Sequence, residues 1–186
     1  MQPEKGLYLR FINILGVKRS SPSLSALSAL IKAQLSVVPF ENVSKLYYRS
    51  TLNQDHLPSL DQYLNGIEEF HFGGTCYANN YYFFKLLEFL GYRVQLCSAD
   101  MKNPDVHLVI KVTLEEKDYL VDVGYAAPFL DAIPLFLEED HQILSGRNRY
   151  IIKPRDHKGC TRLIMYRDKE HKHGYTLKPE ARNIRD

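Results

Sequence analysis

The feature that most constrains this chain is a change of hydrophobic period at Gly91: before it apolar residues recur at helical spacing, and after it they alternate. On the helical side, residues 7–15 alternate loosely up to Gly16, which suggests a short helix. Leu24, Leu27, Ala29, Leu30, Ile31 and Leu35 share one face of a second helix, with Ser21 and Pro22 as start signals and Pro39 as the break. Residues 60–67 read as another short helix begun near Ser59. Residues 76–90 form the strongest helix, with Thr75 as candidate N-cap and Gly91 as its stop. Beyond Gly91, residues 92–97, 107–113 and 119–123 read as strands, and later strands are expected at 142–144, 150–153 and 163–166. Helices first and antiparallel strands second predict an α+β fold: a helical bundle over residues 1–91 packed on an antiparallel sheet or small barrel over residues 92–186.

With 186 residues, the chain can form one domain or two small ones. Its 45% hydrophobic and 25% charged residues exclude a disordered or fibrous chain. The net charge of +2 does not suggest a nucleic-acid binder, although it conceals an asymmetry. Residues 1–146 carry 12 Lys/Arg against 17 Asp/Glu, whereas residues 147–173 carry nine against three. That basic run, with Tyr150 and Tyr166 inside it, lacks an RNA-binding motif and reads as a solvated face. The N-terminus lacks the basic-then-apolar run of a signal peptide, and no stretch of 18 apolar residues occurs, so no membrane association is expected. Three cysteines without a CxxC pair suggest reduced thiols in a cytoplasmic protein. No metal is expected, because His171 and His173 have no third ligand spaced to help them.

Chemistry concentrates at Phe72-Gly73-Gly74-Thr75-Cys76, which puts a cysteine at the first position of a helix. The helix dipole and unpaired backbone N–H groups there favour a thiolate. The glycines allow close approach of a substrate and leave an N–H for a developing oxyanion. The competing reading is a buried structural cysteine, since Cys76 heads the inward stripe Asn80, Phe83, Leu87 and Leu90. A thiolate nucleophile needs a base, and the base an orienting acceptor. His107 and Asp122 lie on consecutive strands joined through Leu114-Glu115-Glu116. A two-residue turn there puts both on one sheet face, opposite or diagonal, about 5 to 8 Å apart at Cα. A three-residue loop would separate them. Asp122, flanked by Leu120, Val121 and Val123, is a carboxylate in an apolar strand and needs a partner, for which His107 is the nearest candidate. His71 reads as a loop residue, Cys97 as core or sheet surface, and Cys160 as a turn residue.

With these residues in hand, the chain resembles the arylamine N-acetyltransferases. The matching pieces are Val38-Pro39-Phe40-Glu41-Asn42; Gly73-Gly74-Thr75-Cys76 with Asn80 and the aromatic helix to Leu90-Gly91-Tyr92; Val106-His107-Leu108; and Tyr119-Leu120-Val121-Asp122-Val123-Gly124-Tyr125. The resemblance implies a papain-like Cys76-His107-Asp122 core shared between a helical and a β domain. It also implies acetyl transfer from acetyl-CoA, as co-substrate, to an arylamine, arylhydroxylamine or hydrazine through a cysteine thioester by a ping-pong route. Phe40, Val106 and Tyr125 would line the acceptor pocket, and the loop Lys102-Asn103-Pro104-Asp105-Val106 would contact coenzyme and acceptor, with Asn103 and Pro104 facing the coenzyme.

Three residues depart from the family pattern: Phe72 stands where Arg is usual, Ala78 where an acidic or amide residue is usual, and Ala126 where Gly is usual. Family chains also continue into a third α/β lid, which this 186-residue chain is expected to lack. These departures motivate an alternative, a catalytically weakened homologue acting as an aromatic-ligand or protein-binding module. A further alternative keeps the thiol but performs amide hydrolysis or transglutaminase-like transfer. Arg147, Arg149 and Arg155 are candidates for drawing in coenzyme phosphates.

Overall fold

A computed structural model describes residues 2–182. Five helices come first: α1 (Gln2–Ile14), α2 (Leu24–Val37), α3 (Val43–Leu52), α4 (Leu60–Phe70) and α5 (Cys76–Phe89). Eight strands follow: β1 (Arg93–Asp100), β2 (His107–Leu114), β3 (Lys117–Val121), β4 (Ile133–Pro134), β5 (His141–Ser145), β6 (Asn148–Ile152), β7 (Thr161–Arg167) and β8 (Glu170–Ala181). They make one curled antiparallel sheet in the order β4-β3-β2-β1-β8-β7-β6-β5. This is the expected α+β arrangement, helices packed on a half-barrel.

Local chemistry explains several boundaries. Ser23 and Ser59 accept hydrogen bonds from the backbone N–H of Ala26 and Gln62, capping α2 and α4. Gly91, at φ 88°, ends α5 in the left-handed region that glycine adopts without strain. Thr75 occupies the N-cap position of α5, but its side chain makes no capping bond.

Sequence patterning misses three elements. α3 buries only Ser44 and Tyr48, so it shows no apolar stripe. β4 is two residues long. In β8 the outward positions are His and Lys, and the basic run reads as solvent-facing although Tyr175 and Leu177 are buried. The first helix also starts earlier than residue 7.

The core has two parts on the two faces of the sheet. Leu108, Ile110 and Val112 of β2 pack with the helices against Phe83, Leu86 and Leu87 of α5. Val109 points the other way, joining Leu120, Tyr150, Leu163, Tyr175 and Leu177 inside the curl. With both faces covered, β2 reads as a nearly continuous apolar run, and α5 is clamped against the middle of the sheet.

Candidate active site

The β2–β3 hairpin sets the register on which the site depends. Leu114 pairs with Lys117, and the two turn residues Glu115 and Glu116 both have positive φ, 48° and 57°. This backbone twist matches that of the flanking strands. Continued past the last ladder pair, Ile110 with Val121, the register places His107 opposite Gly124. Asp122 is then its diagonal neighbour on the same face. The ring and carboxylate meet directly: His107 Nε2 lies 2.8 Å from Asp122 Oδ2.

This pair is buried, with His107 2% and Asp122 1% exposed. The other carboxylate oxygen, Asp122 Oδ1, accepts from Asn80 Nδ2 at 2.8 Å and from the Gly124 N–H at 3.1 Å. Asn80 also donates to the Leu108 carbonyl at 2.6 Å and accepts from the Val123 N–H at 2.8 Å, so it ties α5 to both strands. Each buried polar atom of this group has a partner, which offsets the cost of a buried charge.

Gly124 lets the start of α5 approach this pair. A Cβ there would fall 2.5 Å from Cys76 Cα, so only glycine allows the β3 end to pass so close to α5. The half-buried Cys76 thiol stands beside the His107 ring and favours its charged form. Asp122 occupies Nε2, which leaves Nδ1 as the nitrogen open to the sulfur. The thiol donates to the Val106 carbonyl, 3.8 Å from Cys76 Sγ. Burial works against a charged His107, but the Asp122 carboxylate, by charge and hydrogen bond, together with Cys76, outweighs it and raises the pKa to about 10.

The loop before α5 is held through its backbone. A Cβ on Gly73 would fall 1.9 Å from the Pro39 carbonyl oxygen. Gly73 N–H donates to Glu41 Oε1 at 3.0 Å, and Glu41 Oε2 accepts from the Ser44 N–H at 2.9 Å. Asn79 donates to the Pro39 and Gly74 carbonyls, both at 3.1 Å, and accepts from the Tyr63 hydroxyl at 2.9 Å. Gly74 N–H donates to the Pro39 carbonyl at 3.3 Å. Both glycine N–H groups are therefore engaged, which removes them as the free oxyanion donors expected from sequence. Phe72 packs among Tyr47, Tyr48 and Phe70, with ring centroids 5.2–6.1 Å away.

The expected pocket residues divide. Tyr125 is buried, its ring 5.6 Å from that of His107, and Val106 meets Cys76 through its carbonyl. Phe40 is 48% exposed and joins the site only through a backbone bridge to Gly74. Asn103 and Pro104 are exposed on the β1–β2 loop. Two β8 residues also belong here: Tyr175, which the sequence did not single out, and His173, weighed there only as a metal ligand. The Tyr175 ring packs 4.9 Å from that of His107, and the Tyr125 hydroxyl hydrogen-bonds to His173 Nδ1. Period-two spacing of Tyr175 and Leu177 behind the tight turn at Asp168-Lys169 is the signal that could have found that strand. His71 is an exposed C-cap of α4. Arg147 and Arg155 are paired with Asp168 and Asp118, and Arg149 lies over the Tyr166 ring. Among the described residues, no helix is long and apolar enough to cross a membrane.

The fold sets a helix-terminal cysteine beside a buried His–Asp pair carried by a β-hairpin. The sequence model of the N-acetyltransferase family matches residues 23–186, and the chain belongs to the arylamine N-acetyltransferase family. It is 28% identical over 142 residues to the arylamine N-acetyltransferase pineal gland isozyme NAT-3 of Gallus gallus, covering 72% of this chain and 45% of that protein. It is 34% identical over 112 residues to the proansamycin X synthase of Amycolatopsis mediterranei, covering 56% of this chain and 42% of that one. The chain thus spans about half the length of these relatives. The arylamine N-acetyltransferase structure from Salmonella typhimurium superposes with a TM-score of 0.77 at 17% identity, covering 95% of this chain and 65% of that one. The Mycobacterium marinum enzyme in complex with CoA superposes with a TM-score of 0.73 at 21% identity, covering 95% and 66%.

Proposed function

We propose that the chain carries the acyl-transfer centre of an arylamine N-acetyltransferase, with Cys76 as nucleophile, His107 as general base and Asp122 as the residue that orients and charges the ring. The observation that supports this most is the buried His107 held by Asp122 at 2.8 Å on one nitrogen, beside Cys76 at the start of α5. In the first half-reaction Cys76 Sγ attacks the carbonyl carbon of acetyl-CoA. The new C–S bond forms as the bond to CoA breaks, and His107 passes the thiol's proton to the departing CoA sulfur. In the second, the amine of an arylamine, arylhydroxylamine or hydrazine attacks the Cys76 thioester. Its proton moves to His107 and then to the Cys76 sulfur.

In this reading residues 1–91 and 92–186 are two domains, one bringing the nucleophile and the other the base and acid. Phe40, Val106 and Tyr125 form the acceptor wall, and Asn103 and Pro104 face the coenzyme from the β1–β2 loop. A reactive thiol of this kind suits the reducing cytoplasm.

Acetyl-CoA labelling with peptide mass mapping tests the proposal. One acetyl group is expected on Cys76, absent in Cys76→Ser and discharged by an aromatic amine. Folded protein that takes no acetyl group on Cys76 overturns the reading and favours the binding-module alternative.

A further inference from the structure

We propose that Asp105 is a positioning residue for Cys76: its ion pairs with Lys178 and Arg182 clamp the β1–β2 loop so that the Val106 carbonyl stays against the sulfur. The proposal rests on Cys76 being the nucleophile. It extends that reading to residues two strands and a loop away.

In the exposed β1–β2 loop, both the backbone and the side chain of Asp105 are tied to neighbouring elements. It sits at φ 54°, a left-handed conformation that Asp and Asn adopt more readily than other residues with a side chain. Its N–H donates to Asp100 Oδ1 at 2.8 Å. Its carbonyl accepts from the Tyr77 hydroxyl at 2.8 Å and from Arg182 Nη1 at 3.2 Å. Its carboxylate lies 3.0 Å from Lys178 Nζ and 3.7 Å from Arg182 Nη1. The two cations are fixed in turn: Lys178 also pairs with Asp100 at 2.9 Å, and Arg182 donates to Ser98 Oγ at 2.8 Å.

Two elements and the segment after the second converge on this residue. Tyr77 follows Cys76 on α5, Lys178 lies on β8, and Arg182 comes just after β8. Asp105 is also two residues before His107, and between them stands Val106, whose carbonyl lies 3.8 Å from Cys76 Sγ. A shift of Asp105 is therefore passed directly to the carbonyl facing the sulfur. No other ion pair of the described residues ties β8 to the loop beside the nucleophile.

The test uses two electrophiles on the whole chain, with the adduct at Cys76 quantified by peptide mass. A bulky aryl maleimide and small iodoacetamide consume the same thiolate, so the ratio of their rate constants reports access rather than acidity. Asp105→Asn keeps a residue that tolerates positive φ and removes only the charge. That variant is expected to raise the bulky-to-small ratio about threefold to tenfold by populating the open loop. Lys178→Met should raise it too, Lys178→Arg should restore it, and the double variant Asp105→Asn with Lys178→Met should add little to either single change. In acetyl transfer the same variants should raise KM for acetyl-CoA more than they lower kcat. A ratio unchanged in both Asp105→Asn and Lys178→Met, in protein with the parent's unfolding midpoint, overturns the clamp. Should Asp105→Asn fail to fold, Lys178→Met, which leaves the loop backbone untouched, decides alone. Failure of Cys76 to take an acetyl group removes the catalytic reading, while the alkylation ratio still reads the clamp.

Discussion

The two ends of the site are built from different interactions. At the acid end, Asp122 collects His107, Asn80 and the Gly124 N–H on its two oxygens, and everything around it is buried. At the loop end, the Gly73-Gly74 backbone is held by Glu41, Asn79 and the Pro39 carbonyl, and Phe72 packs among three other aromatic rings. The acid end supplies charge to the reacting group, whereas the loop end supplies shape. Phe72 and Ala78 both fall at the loop end, Phe72 in the aromatic cluster and Ala78 beside Gly74.

The sharpest way to break this contrast is Asp122→Asn. It keeps the size of the side chain but removes the main charge that raises the His107 pKa, leaving burial opposed only by Cys76. Acetylation of Cys76 should slow by about 10²- to 10⁴-fold, the range for losing the orienting acid and base function. Stability should change with pH as well. His107 has a folded pKa above its ordinary 6.5, so its contribution is fully present below pH 6.5 and is lost as pH rises toward about 10. Asp122→Asn should flatten the unfolding profile across that window. An unchanged profile would show that Asp122 does not charge His107.

Glu41→Gln should give a smaller effect of another kind. Its two carboxylate oxygens serve two backbone N–H groups, those of Gly73 and Ser44, and an amide can accept from only one of them. Destabilisation of about 1–3 kcal/mol is expected in denaturant unfolding, the usual cost of a half-buried donor left unpaired. The His107 pH window should stay as in the parent. A Glu41→Gln variant that also flattens that window would mean that the two ends share their electrostatics, and the contrast would fail.

How much of this is legible in the chain follows the same division. Cys76, His107 and Asp122 could be read because hairpin parity and helix position depend on local rules, and the tight Glu115-Glu116 turn obeys the two-residue case. The roles of Glu41 and Asn79 could not, because their partners are backbone groups 32 and 40 positions away. No side-chain pattern records which distant carbonyl or N–H will be close. β8 was hidden for a different reason. Its exposed His and Lys positions outvote the buried Tyr175 and Leu177 in any reading by composition, and with the strand went the two residues that pack on or near His107. α3 escaped because a helix lying mostly in solvent carries no apolar stripe to detect.

The smallest effect tests whether the acid end is as complete as it looks. Among the described residues, the buried Tyr175 hydroxyl has no hydrogen-bond partner within normal geometry, although it lies in the field of Asp122. Burial, and then the negative charge of Asp122, push its pKa well above the ordinary 10, so the hydroxyl stays protonated throughout the His107 window. Removing an unpaired buried hydroxyl while keeping the ring on His107 should cost nothing and can stabilise by up to about 1 kcal/mol, because the desolvation penalty of an unsatisfied group goes with it. Tyr175→Phe should therefore match or exceed the parent's unfolding midpoint and keep its rate of Cys76 acetylation. A loss above about 1 kcal/mol would instead identify the hydroxyl as a donor to Asp122. The carboxylate would then hold a fourth hydrogen bond, and β8 would join α5 and the β2–β3 hairpin in setting the charge on His107.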